Sequence, residues 1–267
     1  MGSLAGKSPA STYKSLLKVS DETNGVSTSV SQIEDGEGTA TCLSVSDDNL
    51  YIRPQNDNTT DILNIKNSGG TNLLQVDGTN TTVKTLGQYV NTGVQSFGFG
   101  SVNSNPASAN TWTMLGKDMG SHRFNSVPIT LGTGGSPATT YDVSGGNVAS
   151  NLVQSMWYVP FNIAIDAVHC WKGADASSGD AVKYSVMSYT VSTATDATGG
   201  DLSAGVENCV SPSTLTTSGY DRAIYQSLTV STANVDTGKV IIACVHQDGT
   251  NSDLTVNMQL VYHLRSA

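Results

Sequence analysis

Between Leu43 and Thr85 the chain repeats a short phrase: LSV at 43, LYI at 50, LNI at 63, LQV at 74 and VKT at 83. Each is in outline an apolar-polar-apolar triplet, the period of a β-strand with one face turned inward. Turn-forming stretches separate them, among them NDNTT, NSGG and DGTN. A triplet brings about two inward side chains, each worth about 2 kcal/mol when buried, against an ordering cost of about 1 kcal/mol or more per residue. One chain alone loses that balance. It closes if identical chains wrap a shared axis, as in repeat architectures whose units cannot bury a face alone. Leu50, Ile52, Leu63, Ile65, Leu74, Val76 and Val83 are therefore expected to form a stem core against copies of themselves.

The rest of the composition agrees with a turn-rich β-protein. Of 267 residues 37% are hydrophobic and 6% aromatic, and only 13% are charged, so hydroxyls and amides carry much of the solubility. With 13 Lys and Arg against 22 Asp and Glu, the net charge of -9 opposes a phosphate backbone, and nucleic acid is excluded as a partner. No run of about 18 apolar residues occurs, which excludes membrane insertion by a helix, and the first residues lack the apolar core of a signal peptide. Synthesis in a cytosol is expected.

Three segments follow from the pattern. Residues 1–45 are expected to be an attachment arm, with a short helix near 9–18 opened by Ser8 and Pro9. Tyr13, Leu16 and Leu17 share its apolar face, and Val19 follows as a further arm contact. Residues 46–88 are the β-repeat stem. Residues 89–267 open with a glycine- and serine-rich loop, FGFGSVNSNPASAN, and then carry longer strands. These are VPITLG at 127, MWYVPFNIAIDAVHCW at 156, AVKYSVMSYTV at 181, RAIYQSLTV at 222, KVIIACVH at 239 and LTVNMQLVYHL at 254. No segment there shows a helical period, and the spacing predicts an antiparallel β-sandwich of jelly-roll type. In the last strand Leu254, Val256, Met258, Leu260, Tyr262 and Leu264 are expected on one face. The fold class is thus all-β throughout, apart from the short helix of the arm.

Catalytic and cofactor motifs are not found. There is no P-loop, nucleophile elbow, HExxH or EF-hand spacing, so no catalytic residues and no cofactor are assigned and an enzyme is not expected. The four cysteines, Cys42, Cys170, Cys209 and Cys244, are far apart and read as buried free thiols. Cys244 and His246 point to one face of a strand, but nothing brings further ligands to them, and no metal site is assigned. The loops DASSGD, DATGGD and DGTNSD have the oxygens a hard cation wants, yet these are also ordinary turn residues. Trp112 and Tyr220, each beside polar loop residues, are the rings expected to face a ligand.

The order of features resembles fibre and decoration proteins of tailed bacteriophage virions. Residues 8–85 carry the resemblance, in SPASTYKSLLKVSDETNGVSTSVSQIEDGEGTATCLSVSDDNLYIRPQNDNTT followed by LNIKNSGGTNLLQVDGTNTTV. The first stretch is similar to leaders that fasten a head or tail fibre to the particle, the second to fibre shaft repeats. The resemblance implies a homotrimer, capsid or tail proteins as partners, and a place in the virion. It also implies an outward β-sandwich knob. Its alternative is a receptor-binding tail fibre that recognises a host surface glycan.

Overall fold

A computed structural model describes residues 16–21, 23–54, 60–100, 110–117, 129–143, 148–174, 178–218, 222–247 and 255–265. Its secondary structure is nearly all antiparallel β, divided between two compact units, Met1–Val90 and Asn91–Ala267.

The N-terminal unit contains two four-stranded meanders. The first runs β1 (Lys18–Val19), β2 (Ser31–Glu34), β3 (Ala40–Val45) and β4 (Leu50–Ile52). The second runs β5 (Leu63–Lys66), β6 (Asn72–Asp77), β7 (Thr82–Thr85) and β8 (Gln88–Tyr89). They reuse the same turn chemistry. In the loop Asp35–Thr39 the Asp35 Oδ1 accepts from the Glu37 and Thr39 amides, and in Asn67–Thr71 the Asn67 Oδ1 accepts from the Gly69 and Thr71 amides. Gly38 and Gly70 hold the left-handed position of each loop at φ 86° and 83°. A register shift accompanies each loop, at Gln32/Glu34 and at Ile65/Lys66.

The next turn also recurs. Asn49 donates its amide and Nδ2 to Ser46 Oγ, as Asn80 donates its amide to Asp77 Oδ1 and its Nδ2 to Asp77 Oδ2. The shared phrase is Leu-x-Val-Ser/Asp-x-x-Asn, at Leu43–Asn49 and Leu74–Asn80. The triplets of the sequence are thus strands of a duplicated hairpin motif, LSV, LQV and VKT inside their sheets and LYI and LNI at an edge.

Two expected boundaries move. The arm and stem were to part at 45/46, but that point lies in the turn between β3 and β4, which pair Val45 with Leu50. The stem was to end at 88, whereas β8 continues to Tyr89 and the unit to Val90. The expected helix near 9–18 lies mostly outside the described residues. At its end Lys18 and Val19 are extended and pair with Glu34 and Ile33.

The C-terminal unit is built on nested pairings. β9 (Thr92–Gly100) pairs with β20 (Thr255–Leu264), and β10 (Thr111–Met114) with β19 (Lys239–Gln247). Inside these, β12 (Ile163–Ala174) pairs with β16 (Arg222–Ser227), and β13 (Ser178–Val191) with β14 (Leu202–Val210). One sheet has the order β16-β12-β20-β9 and the other β10-β19-β13-β14-β17, with β17 at Thr229–Val230. Short strands β11 (Trp157–Tyr158), β15 (Leu215–Ser218) and β18 (Asn234–Val235) pair with β19, β13 and β12 respectively.

A core cluster lies between the sheets, with Ile165, Val168, Cys170, Met258 and Leu260 from one and Tyr184, Val186, Ile241, Ala243 and Val245 from the other. A second cluster lies on the far side of the β19 sheet. There Val240, Ile242, Cys244, Met187 and Tyr189 meet Trp112, Leu131 and Leu152. β19 is therefore buried on both faces, which explains its unbroken apolar run, VIIACV.

Several local expectations need correction. Leu152 comes from helix α1 (Val148–Ser155), in a region expected to hold no helix; it packs at 1% exposure into the second cluster. The segment FGFG opening the expected linker belongs to β9. The strand expected at 127–132 is reduced, in its described part, to one bridge between Thr130 and Thr113. MWYVPFNIAIDAVHCW is two strands interrupted at Pro160 and Phe161. In β20 the alternation holds for Val256, Met258 and Leu260, then fails: His263 is 8% exposed and Leu264 37%. A bulge in β12 between Ile165 and Ala167 places Asp166 beside His263, whose Nδ1 lies 2.8 Å from Asp166 Oδ1.

Candidate functional site

In the second meander, Leu63 faces Val76 and Val76 faces Val83, while Ile65 faces Leu74. Directly opposed residues share a face, so these five side chains form one apolar surface. The reverse face carries Asn64, Gln75 and Lys84, with Lys84 Nζ 4.7 Å from the centre of the Tyr89 ring. The first meander repeats the arrangement with Leu43 opposite Ile52, Val45 opposite Leu50 and Val19 opposite Ile33. The seven expected stem residues thus divide two and five between separate sheets.

None of these side chains is buried within one chain. Leu50 is 65% and Ile65 47% exposed, and Ile52, Leu63, Leu74, Val76 and Val83 are half-buried. Among the described residues, buried hydrophobic side chains begin only at Phe97. The side chains buried in this unit are polar: Ser31, Ser46, Asp77 and Thr82. Of the expected arm residues, Leu16 and Leu17 are 47% and 68% exposed, Val19 is half-buried in β1, and Tyr13 lies outside the described residues.

The C-terminal unit places the expected chemistry differently. Trp112, expected to face a ligand, is 1% exposed in the second cluster, and its Nε1 donates to the Gly134 carbonyl at 3.0 Å. It is a core residue because β10 is a strand and not a loop. Tyr220 lies outside the described residues. Cys170, Cys209 and Cys244 are buried, and burial raises all three thiols, Cys209 to about 12, which keeps them protonated and unreactive. Cys42, expected to be buried too, is exposed on β3. His246 packs against Trp112 at 5.2 Å between ring centres. Among the described residues no three His, Cys, Asp or Glu side chains converge as metal ligands would. In the loop at 196, Asp196 Oδ1 accepts from the amide and hydroxyl of Thr198, an ordinary turn bond.

Two aromatic features face solvent instead. One is an open groove of about 350 Å³ whose walls include Trp157, Pro160, Phe161, Tyr262 and Leu264. Gly93 forms its floor under Tyr262, whose Cζ would stand 2.5 Å from an added Cβ, so a side chain there would displace the ring. The other is on the outer face of the β12 sheet. Val168 and Cys170 point inward at 0% exposure, and the intervening His169 and Trp171 point outward. Trp171 is 48% exposed and lies opposite Tyr225, 45% exposed, on edge strand β16. Their ring centres are 5.2 Å apart with planes at 52°, and His169 Nδ1 lies 2.7 Å from the Tyr225 hydroxyl. Alternation in AVHCW was the signal for this pair, but its partner strand is 54 residues away in sequence at Tyr225 and register is not readable from either alone.

No protein-family model matches the chain, and no curated protein matches it. No helix among the described residues is long and apolar enough to cross a membrane.

Proposed function

We propose that the chain is a structural virion protein of a tailed bacteriophage, a homotrimeric fibre or decoration protein fastened to the capsid through its N-terminal residues. The observation that carries this reading is the N-terminal unit: two sheets, each with an apolar face, and among the described residues no apolar side chain buried within one chain. A Leu, Ile or Val side chain is worth about 1.5–3 kcal/mol when buried, and here that gain awaits other chains. Copies around a common axis supply equivalent faces at once, and the duplicated hairpin lets a shaft extend along that axis by repetition. The number three, the virion and the capsid come from the resemblance of residues 8–85 to fibre leaders and shaft repeats.

The C-terminal unit fits an outward knob. Its eight nested strands pair first with last, second with seventh, third with sixth and fourth with fifth. We read this order as a jelly roll, an architecture common to capsid and lectin domains. The mass of the full-length chain in solution tests the proposal. Light scattering at about three times 27.8 kDa is expected. A monodisperse monomer overturns it.

A further inference from the structure

We infer that the outer face of the β12 sheet is a binding site for a neutral saccharide, centred on Trp171 and Tyr225. The site belongs to the C-terminal unit alone, so the inference stands or falls apart from the virion reading.

Three observations select this ligand class. First, two large rings are about half exposed side by side, in a chain with only 6% aromatic residues. The planes meet at 52°, so the rings form a shallow trough and not a flat shelf. The C–H face of a pyranose ring fits such a trough, because polarised C–H groups meet the negative faces of the rings. Second, the neighbouring positions are hydrogen-bonding but uncharged. Asn257 lies directly opposite Trp171, and Gln259 and Ser227 lie opposite His169. The Asn257 Oδ1 is buried without a donor, an acceptor that a sugar hydroxyl satisfies when the amide turns outward. An apolar protein partner would leave this amide row unpaired, and hydroxyls would not. Third, none of these positions carries a carboxylate, ammonium or guanidinium group, on a chain of net charge -9. Nothing at the site favours an anionic glycan, and the molecule as a whole repels one. The hydrogen-bond contact between His169 and Tyr225 holds the second ring in place, which lowers the ordering cost of binding.

The three tryptophans make the test specific. Trp112 is buried, Trp157 lines the separate groove, and Trp171 is the one on this face. Full-length protein is titrated with cellohexaose, maltohexaose, mannohexaose and an acidic alginate hexamer, following tryptophan emission and its quenching by acrylamide. Binding of at least one neutral hexamer is expected, with Trp171 shielded from acrylamide and affinity unchanged between low and physiological salt. Trp171→Ala, which removes the reporter and is therefore followed by titration calorimetry, is expected to abolish binding, and Tyr225→Ala to weaken it about tenfold or more. Both positions are half exposed, so the melting temperature should stay near that of the parent. Phe161→Ala, in the groove, should leave binding unchanged. The inference is overturned if no neutral hexamer binds, if only the alginate binds, or if binding survives Trp171→Ala. Loss of binding in Phe161→Ala together with its persistence in Tyr225→Ala also overturns it, by moving the site to the groove.

Discussion

A methyl group added at Gly205 would lie 2.5 Å from Tyr189 Cε1, 2.8 Å from Thr139 Cα and 2.9 Å from the Thr139 carbonyl oxygen. Two of these three neighbours are backbone, tied to β14 because the Gly205 amide donates to that same carbonyl at 2.9 Å. Tyr189 is equally constrained, its hydroxyl donating to the Ala138 carbonyl at 2.7 Å. Gly205→Ala therefore forces the 139 segment off the sheet, and a loss of about 1–3 kcal/mol is expected in urea unfolding of the C-terminal unit. The cysteines give a second test at this scale. In the folded protein one thiol per chain, Cys42, should react rapidly with a thiol reagent at neutral pH. All four should react after unfolding, because the other three are held buried and protonated. A second rapid thiol would contradict the packing of the core cluster that holds it. Composition and spacing had suggested burial for all four. The exposure of Cys42 follows from its place on the face of β3 opposite that of its half-buried neighbours Thr41 and Leu43, which spacing between cysteines does not report.

At the scale of elements, the meanders rest on aspartate-capped turns with a defined acid limit. Asp35 is held below the ordinary 3.8 mainly by the Thr39 amide, Asp21 by the Asn24 amide, and Asp77 by the side chain and amide of Asn80. A carboxylate whose folded value is depressed stabilises the folded state fully above its unfolded value, and loses that contribution as pH falls through the folded one. The turns should thus be insensitive to pH from neutrality down to the unfolded aspartate value, and weaken below 3.8. Far-ultraviolet dichroism across an acid titration measures this, and a transition centred well above that value would show that other groups control the unit.

The apolar face gives the sharper element-level test. Leu74 and Val76 are half-buried in one chain, so for a monomer aspartates there cost little, within about 0.5 kcal/mol as at ordinary surface positions. In an assembly they place charge in a shared apolar layer. Leu74→Asp with Val76→Asp should drop the solution mass to 27.8 kDa while near-ultraviolet dichroism of the C-terminal unit is retained. An unchanged oligomer would exclude this face from the interface. These strands were legible in sequence because period-two alternation is a local property. β14 was not: LSAGVENCV has the burial pattern BeeieiBBi, and register shifts at Val186/Met187 and Ser188/Thr190 of its partner break the alternation. Helix α1 was equally hidden, since only its contact with the second core cluster distinguishes VASNLVQS from a polar loop.

At the scale of the whole molecule, five of the eight nested strands of the C-terminal unit were readable, β9, β10 and β14 were not, and neither was the pairing. β9 is joined to β20, over 150 residues later, and such long-range partners leave no mark on either segment. The chain divides into two compact units where three segments were expected, and that division carries the last prediction. Both core clusters lie wholly within Asn91–Ala267, and the nested pairing ties the two ends of that unit together through β9 and β20. A fragment of residues 91–267 should therefore fold alone and unfold in one transition whose midpoint does not depend on protein concentration. The described residues of the N-terminal unit form no such core in one chain, and its order should depend on other copies. In the full-length protein this predicts two transitions, with the one belonging to residues 1–90 rising in temperature as the protein is concentrated. A calorimetric series over a hundredfold concentration range measures both. If the transition of the N-terminal unit stays fixed, its sheets are stable within a single chain and the shared-axis stem is wrong. If it moves while that of the C-terminal unit does not, association and folding are one event in the stem, and the knob is an independent body carried on it.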